Sequence, residues 1–145
     1  MAEISAQHER LIMSSSTKPT VYVVDDDAAV LGSLRFLLET DGFAVRTFRN
    51  GTALLNAAQI PGADCYVIDY KMPDINGIDL AGRLRKYDGH APVILITGYP
   101  DENISTRAAA AGVRDVILKP LLDESLTKRI RHVIQHKSPG EMTEK

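Results

Sequence analysis

Four short apolar runs in this chain end on polar residues that could act together. Asp25, Asp26 and Asp27 follow Thr20 to Val24; Asp69 follows Asp64 to Ile68; Thr97 ends Pro92 to Ile96; and Lys119 follows Val113 to Leu118. Clustered carboxylates repel one another unless a cation joins them. An all-oxygen ligand set suits a hard divalent ion, Mg2+ being the usual one, which keeps waters and phosphate oxygens in its shell. A lysine ammonium and a threonine hydroxyl are the donors that the equatorial oxygens of a transferring phosphoryl group require. A carboxylate can itself be the nucleophile, forming an aspartyl phosphate. No G-x-x-x-x-G-K-[ST] phosphate loop is present, so nucleotide binding is not indicated.

Such a set works only if the fold brings residues distant in sequence to one edge. The pattern predicts that it does. Strands are expected over Thr20–Asp25, Ala44–Phe48, Asp64–Asp69, Pro92–Thr97 and Val113–Leu118, all rich in Val, Ile and Leu except the more polar second. Helices are expected over Ala28–Thr40, Gly51–Gln59, Gly77–Tyr87, Asp101–Ala111 and Asp123–Gln135. The first presents Val30, Leu34, Leu37 and Leu38, the third Ile78, Leu80 and Leu84, and the last Leu126, Ile130, Val133 and Ile134. Alternation of this kind means an α/β fold, a doubly wound five-stranded parallel sheet with helices on both faces. Ligands in such sheets bind outside the carboxyl ends of the strands, where the polar residues fall.

Composition sets the limits. The 145 residues suffice for one domain, expected over 20–136, with a flexible extension at 1–19 and a tail at 137–145. Ser14 to Pro19 reads as a linker, and Ser138-Pro139-Gly140 stops any helix. Ile4, His8, Leu11 and Ile12 could share a helical face, but a short isolated helix is marginal, and Met13 is a candidate start. The net charge of −2 gives no electrostatic case for DNA or an anionic membrane. No apolar stretch nears the ~20 residues of a membrane span and no secretory signal is evident, which makes the cytoplasm the expected location. The single cysteine, Cys65, excludes an intrachain disulfide and reads as a small core residue.

Taken together, VVDDD (Val23 to Asp27), VIDYKMPDINGIDL (Val67 to Leu80), ITG (Ile96 to Gly98) and LKP (Leu118 to Pro120) resemble the motifs of response-regulator receiver domains of two-component signal transduction. The resemblance covers about Val21 to Gln135 and implies a flavodoxin-like, receiver-type layout of the sheet. It implies that Asp69 is the phosphoacceptor. It implies that Asp25 and Asp26 are the acidic pair, Asp26 being the more direct Mg2+ ligand, and that Lys71 contributes its backbone carbonyl to the metal alongside Asp69. Thr97 and Lys119 would bind the phosphoryl oxygens. The phosphodonor would be a sensor histidine kinase or a phosphotransfer protein, and the output a conformational change read by a downstream protein target. A homodimer is among the assemblies this allows.

Each residue also has a plainer reading. Asp27 reads best as a helix N-cap. Thr97 would be ordinary without its companions, and Lys119-Pro120 could be a simple turn. The Met72 to Gly77 stretch is first a loop with turn residues, which in the family shapes the approach to the phosphorylation site. His132 and His136, four apart, could hold a metal. With Arg129, Arg131 and Lys137 they fit better as cations favouring the negative end of the last helix.

The sequence departs from the family where an aromatic residue usually stands three positions before the lysine, here Val116, so the coupling through an inward-turning ring is expected to shrink. Tyr99 and Lys71 occupy positions that in the family flank the path of the hydrolytic water, and their bulk implies slow loss of phosphate. About ten residues follow the last helix, leaving a stand-alone regulator or a receiver separated from its output domain. Two other functions compete: an Mg2+-dependent phosphohydrolase, for which no cap or inserted loop is evident, and a phosphorylation-independent adaptor, against which the complete acidic set argues.

Overall fold

The computed structural model describes residues 18–98, 101–119 and 125–136. The N-terminal extension up to Thr17, Tyr99, Pro120, the proposed helix start at Asp123 and the tail from Lys137 therefore lie outside the described residues.

Five strands form one parallel sheet in the order β2-β1-β3-β4-β5. They are β1 (Thr20–Val24), β2 (Ala44–Phe48), β3 (Cys65–Asp69), β4 (Val93–Thr97) and β5 (Asp115–Leu118). The helices are α1 (Ala28–Thr40), α2 (Gly51–Ala58), α3 (Gly77–Tyr87), α4 (Glu102–Ala110) and α5 (Ser125–Gln135). All five residues of β3 and of β4 are buried, as expected of strands covered on both faces. Alternation along the strands divides the core in two. Tyr22, Val24, Tyr66, Ile68 and Leu95 face α2, α3 and α4 through Leu54, Leu80, Leu84 and Ile104. Val21, Val23, Cys65, Val67, Ile94 and Ile96 face α1 and α5 through Leu31, Leu34, Leu38, Leu126, Ile130 and Val133. Cys65 is a core residue, and burial pushes its thiol well above the ordinary range.

The helices begin where the sequence offers caps. Asp27 accepts from the amides of Ala29 (2.8 Å) and Val30 (3.3 Å), Asn50 from Ala53 (2.8 Å), and Asn76 from Asp79 (2.9 Å). The α1 stripe is rotated from its expected setting: Leu31, Leu34 and Leu38 are buried, while Val30 and Leu37 are only half-buried. The cations of α5 serve packing as much as the helix end. Arg129 pairs with Asp115 at 2.7 Å, and Arg131 lies 4.6 Å over the Phe43 ring and donates to the Asp41 carbonyl. No helix among the described residues is long and apolar enough to cross a membrane.

Register decides what meets at the carboxyl ends. Val24 is level with Ile68, Asp69 with Ile96, and Thr97 with Leu118. Asp25 therefore emerges beside Asp69, and Thr97 and Lys119 each stand one residue further along. Chain order reverses between β1 and β3, which makes this the crevice of the sheet.

Gly77 fits α3 against the end of β3. A Cβ there would lie 2.6 Å from the Asp69 carbonyl oxygen, 2.7 Å from Leu95 Cδ1 and 2.9 Å from Tyr70 Cα, and its amide donates to the Tyr70 carbonyl at 2.7 Å. Gly77→Ala is expected to destabilise the fold by about 1–3 kcal/mol, the usual cost of overpacking. Equilibrium urea unfolding measures this, and an unchanged midpoint would refute the close-approach argument.

Candidate functional site

Three acidic residues meet at the switch point. Ligand oxygens of Asp25, Asp26 and Asp69 all lie within 4.8 Å of one another. Asp25 and Asp69 are nearly inaccessible, at 1% and 6% exposure, while Asp26 is exposed. The surroundings hold Asp25 firmly. Its backbone amide donates to the Phe48 carbonyl (3.1 Å), its Oδ1 accepts from the Asp27 amide (2.9 Å), and its Oδ2 accepts from Lys119 Nζ (3.3 Å).

Lys119 joins the two buried acids. Its Nζ lies 3.0 Å from Asp69 Oδ1 as well as 3.3 Å from Asp25 Oδ2. Its backbone amide donates to the Thr97 carbonyl at 2.9 Å, which fixes the start of this reach. Burial works against the charged ammonium, but hydrogen bonding and attraction to Asp69, then Asp25, outweigh it and raise its affinity for the proton. For Asp69 the balance tips the other way. Burial pushes its carboxyl above the ordinary carboxylate value, the Lys119 hydrogen bond opposes this, and the charges of Asp25 and Asp26 reinforce it.

These groups line an open depression of about 490 Å³ together with Lys71, Thr97 and Gly98. All six residues singled out from the sequence, Asp25, Asp26, Asp69, Lys71, Thr97 and Lys119, thus share one cavity, and Asp27 stands at its edge while capping α1. The depression suits a hard divalent cation on the chemistry of its donors. They are oxygens, negative charge is in excess because four aspartates and two lysines line the depression, and Asp26 lies open to solvent. Thr97, 2% exposed, also lines a second hollow of about 400 Å³ with Ile104, Val116 and Leu118. Thr97 is thus common to both spaces, while Val116 lines only the second.

Asp74, within the turn-rich loop between β3 and α3, has a role beyond the turn. Its carboxylate accepts from the amides of Gly51 (3.1 Å) and Thr52 (3.2 Å), the first two of α2. Partners more than twenty residues away leave no signal in local spacing.

Comparison with known proteins agrees with the geometry. A family model described as the response regulator receiver domain matches residues 21–131. The transcriptional regulatory protein FixJ of Bradyrhizobium diazoefficiens is 37% identical over 131 residues, covering 89% of this chain and 63% of the relative. The response regulator protein TmoT of Ectopseudomonas mendocina is 34% identical, covering 79% of this chain and 52% of its own length. The chain thus spans between half and two thirds of these relatives. Among solved structures, a CheY-like receiver domain protein of Methanospirillum hungatei superposes with a TM-score of 0.79 at 26% identity, covering 83% of this chain and 97% of that one. Full-length FixJ from B. japonicum gives 0.78 at 36% identity, covering 88% and 63%.

The raised Asp69 value has a consequence for stability. A carboxyl that holds its proton more tightly when folded contributes stability in acid and loses it as pH rises through the raised value. Above that raised value, without divalent ions, the ionised Asp69 is a cost that an amide does not carry. Asp69→Asn is expected to melt at a higher temperature than the unaltered chain in metal-free buffer at about pH 7, and the gap should narrow on acidification. A lower melting temperature across that range would show that the Lys119 ion pair dominates the site.

Proposed function

The chain belongs to the response-regulator receiver-domain family, and on that footing we propose that Asp69 accepts a phosphoryl group in a two-component phosphorelay, in a reaction that requires Mg2+. The observation that carries this reading is the meeting of Asp69 with Asp25, Asp26, Thr97 and Lys119 in one depression. Asp26, Asp69 and the Lys71 carbonyl would hold the ion, with Asp25 behind them. Bound there, Mg2+ would neutralise charge on the acids and on phosphoryl oxygens.

The residues of the chain do the remainder. Asp69 supplies the nucleophilic oxygen. As its bond to phosphorus forms, the bond from phosphorus to the donor nitrogen of a phosphohistidine breaks, and the electron pair leaves with the imidazole. Lys119, fixed at 3.0 Å from Asp69 before any donor arrives, is placed to take up a phosphoryl oxygen. The Thr97 hydroxyl is the second donor. Phosphorylation adds roughly one and a half to two negative charges where carboxylates already crowd, enough to bias the adjoining loops. The donor is a sensor histidine kinase or a phosphotransfer protein, and the reader of the altered surface is another protein rather than DNA, in keeping with a net charge of −2.

Incubation with acetyl phosphate and Mg2+ should add one acid-labile phosphoryl group to the intact mass of the chain, and Asp69→Asn should not acquire it. An adduct on the Asn variant would move the acceptor elsewhere.

Val116 shapes the response. A β-branched side chain stiff at its one torsion cannot sweep between solvent and core as an aromatic ring does. It packs half-buried against the core beside the open hollow. Phosphorylation should therefore perturb the loops after β3 and β4 more than β5. NMR shift changes are expected to concentrate at residues 71–77 and 98–103. Changes equally large at Val116 and along α5 would show that the fifth strand carries the signal without a ring.

A further inference from the structure

The loop from β3 to α3 is fastened at both its base and its crest. At the base the Tyr70 amide donates to the Ile96 carbonyl (2.8 Å), and the Gly77 amide closes back on the Tyr70 carbonyl (2.7 Å). At the crest Asp74 Oδ2 accepts from the amides of Gly51 (3.1 Å) and Thr52 (3.2 Å) and from the Thr52 hydroxyl (3.4 Å). The next α2 amide, Ala53, is already satisfied by Asn50. The first turn of α2 thus has one local cap and one borrowed from the loop, and the borrowed one is charged at the positive end of the helix. Slight burial disfavours the Asp74 carboxylate, but the Gly51 and Thr52 hydrogen bonds prevail and hold its value below the ordinary one.

A second contact is independent of this hydrogen bonding. A Cβ on Gly51 would collide with Ile75 Cγ2. The residue after Asp74 therefore docks onto α2 at a point where only glycine leaves room. Lys71, at the rim of the aspartate depression, lies between the anchored base and the anchored crest.

We infer that Asp74 is a positioning residue for the metal: bound to the first turn of α2, it holds the 70–76 loop so that Lys71 stays at the rim of the aspartate depression. The inference rests on the reading of Lys71 as a metal ligand given above. Asp74 does not touch the ion. It removes alternative settings of a backbone ligand, which is how partners outside the coordination shell commonly act on metal affinity.

The test is Mg2+ titration of the full chain by calorimetry, followed by phosphorylation rates across a range of Mg2+. Asp74→Ala is expected to weaken Mg2+ binding about tenfold, the lower range for such supporting groups, with the phosphorylation rate recovering at saturating Mg2+. Asp74→Asn keeps an oxygen that can accept from the same amides and should recover most of the affinity. Gly51→Ala, which displaces Ile75 while sparing the carboxylate, should weaken binding in the same sense, and it carries the test if Asp74→Ala does not fold. Asp26→Ala is the benchmark. If it weakens Mg2+ binding while Asp74→Ala leaves it unchanged, or if Asp74→Asn is no better than Asp74→Ala, the positioning role is overturned and the metal site stands. If the unaltered chain binds no Mg2+, or Asp26→Ala has no effect, the metal reading itself fails and the inference falls with it.

Discussion

The buried contact of Lys119 with Asp69 and Asp25 is the constraint around which the rest of the site is arranged. Two carboxylates with almost no access to water stand within reach of a third, and one ammonium lies between them. Removing Lys119 would leave two buried carboxylates without a counter-charge and is costly, whereas neutralising Asp69 leaves Lys119 paired with Asp25. The intact cluster is poor evidence for stability, because desolvation consumes much of the attraction. The raised Asp69 value expresses this imbalance. The site is better understood as poised for added charge of the opposite sign than as a strut.

The fold supplies what the cluster needs through register and close approach. Parallel pairing sets Asp25 beside Asp69 and advances Thr97 and Lys119 by one residue each, so four side chains from four strands meet without long loops. Gly77 lets α3 begin against the Asp69 carbonyl, and the Asp25 side chain accepts from the Asp27 amide just ahead of α1. The strand-end residues Asp25, Asp69, Thr97 and Lys119 are thus set by the register of their strands, while the 70–76 loop is held from outside the sheet by the tie from Asp74 to α2.

Much of this was legible in the sequence, and the reasons are particular. Strands β3 and β4 could be read because burial on both faces demands continuous apolar runs, and each run stops at a polar residue. The Asp27 cap could be read because capping is local. The rotation of the α1 stripe toward Leu31 could not, since Val30 and Leu31 adjoin on one arc and only the packing against the sheet chooses between them. Nothing in the structure explains why Phe36, on the same helix, is exposed. The reach of Lys119 to both acids depends on register across β4 and β5, and the tie from Asp74 to α2 spans two elements, so neither has a local signature.

The central claim is that the strand ends build a Mg2+-dependent phosphoacceptor centred on Asp69. A crystal structure of the chain with Mg2+ and beryllofluoride, which mimics a carboxyl-bound phosphoryl group, tests it most directly. The account predicts the beryllium on an Asp69 carboxylate oxygen, its fluorides met by Thr97 and Lys119, and Mg2+ on Asp26, Asp69 and the Lys71 carbonyl. Beryllofluoride on a different acid, or Mg2+ bound away from Asp26 and Asp69, would contradict it.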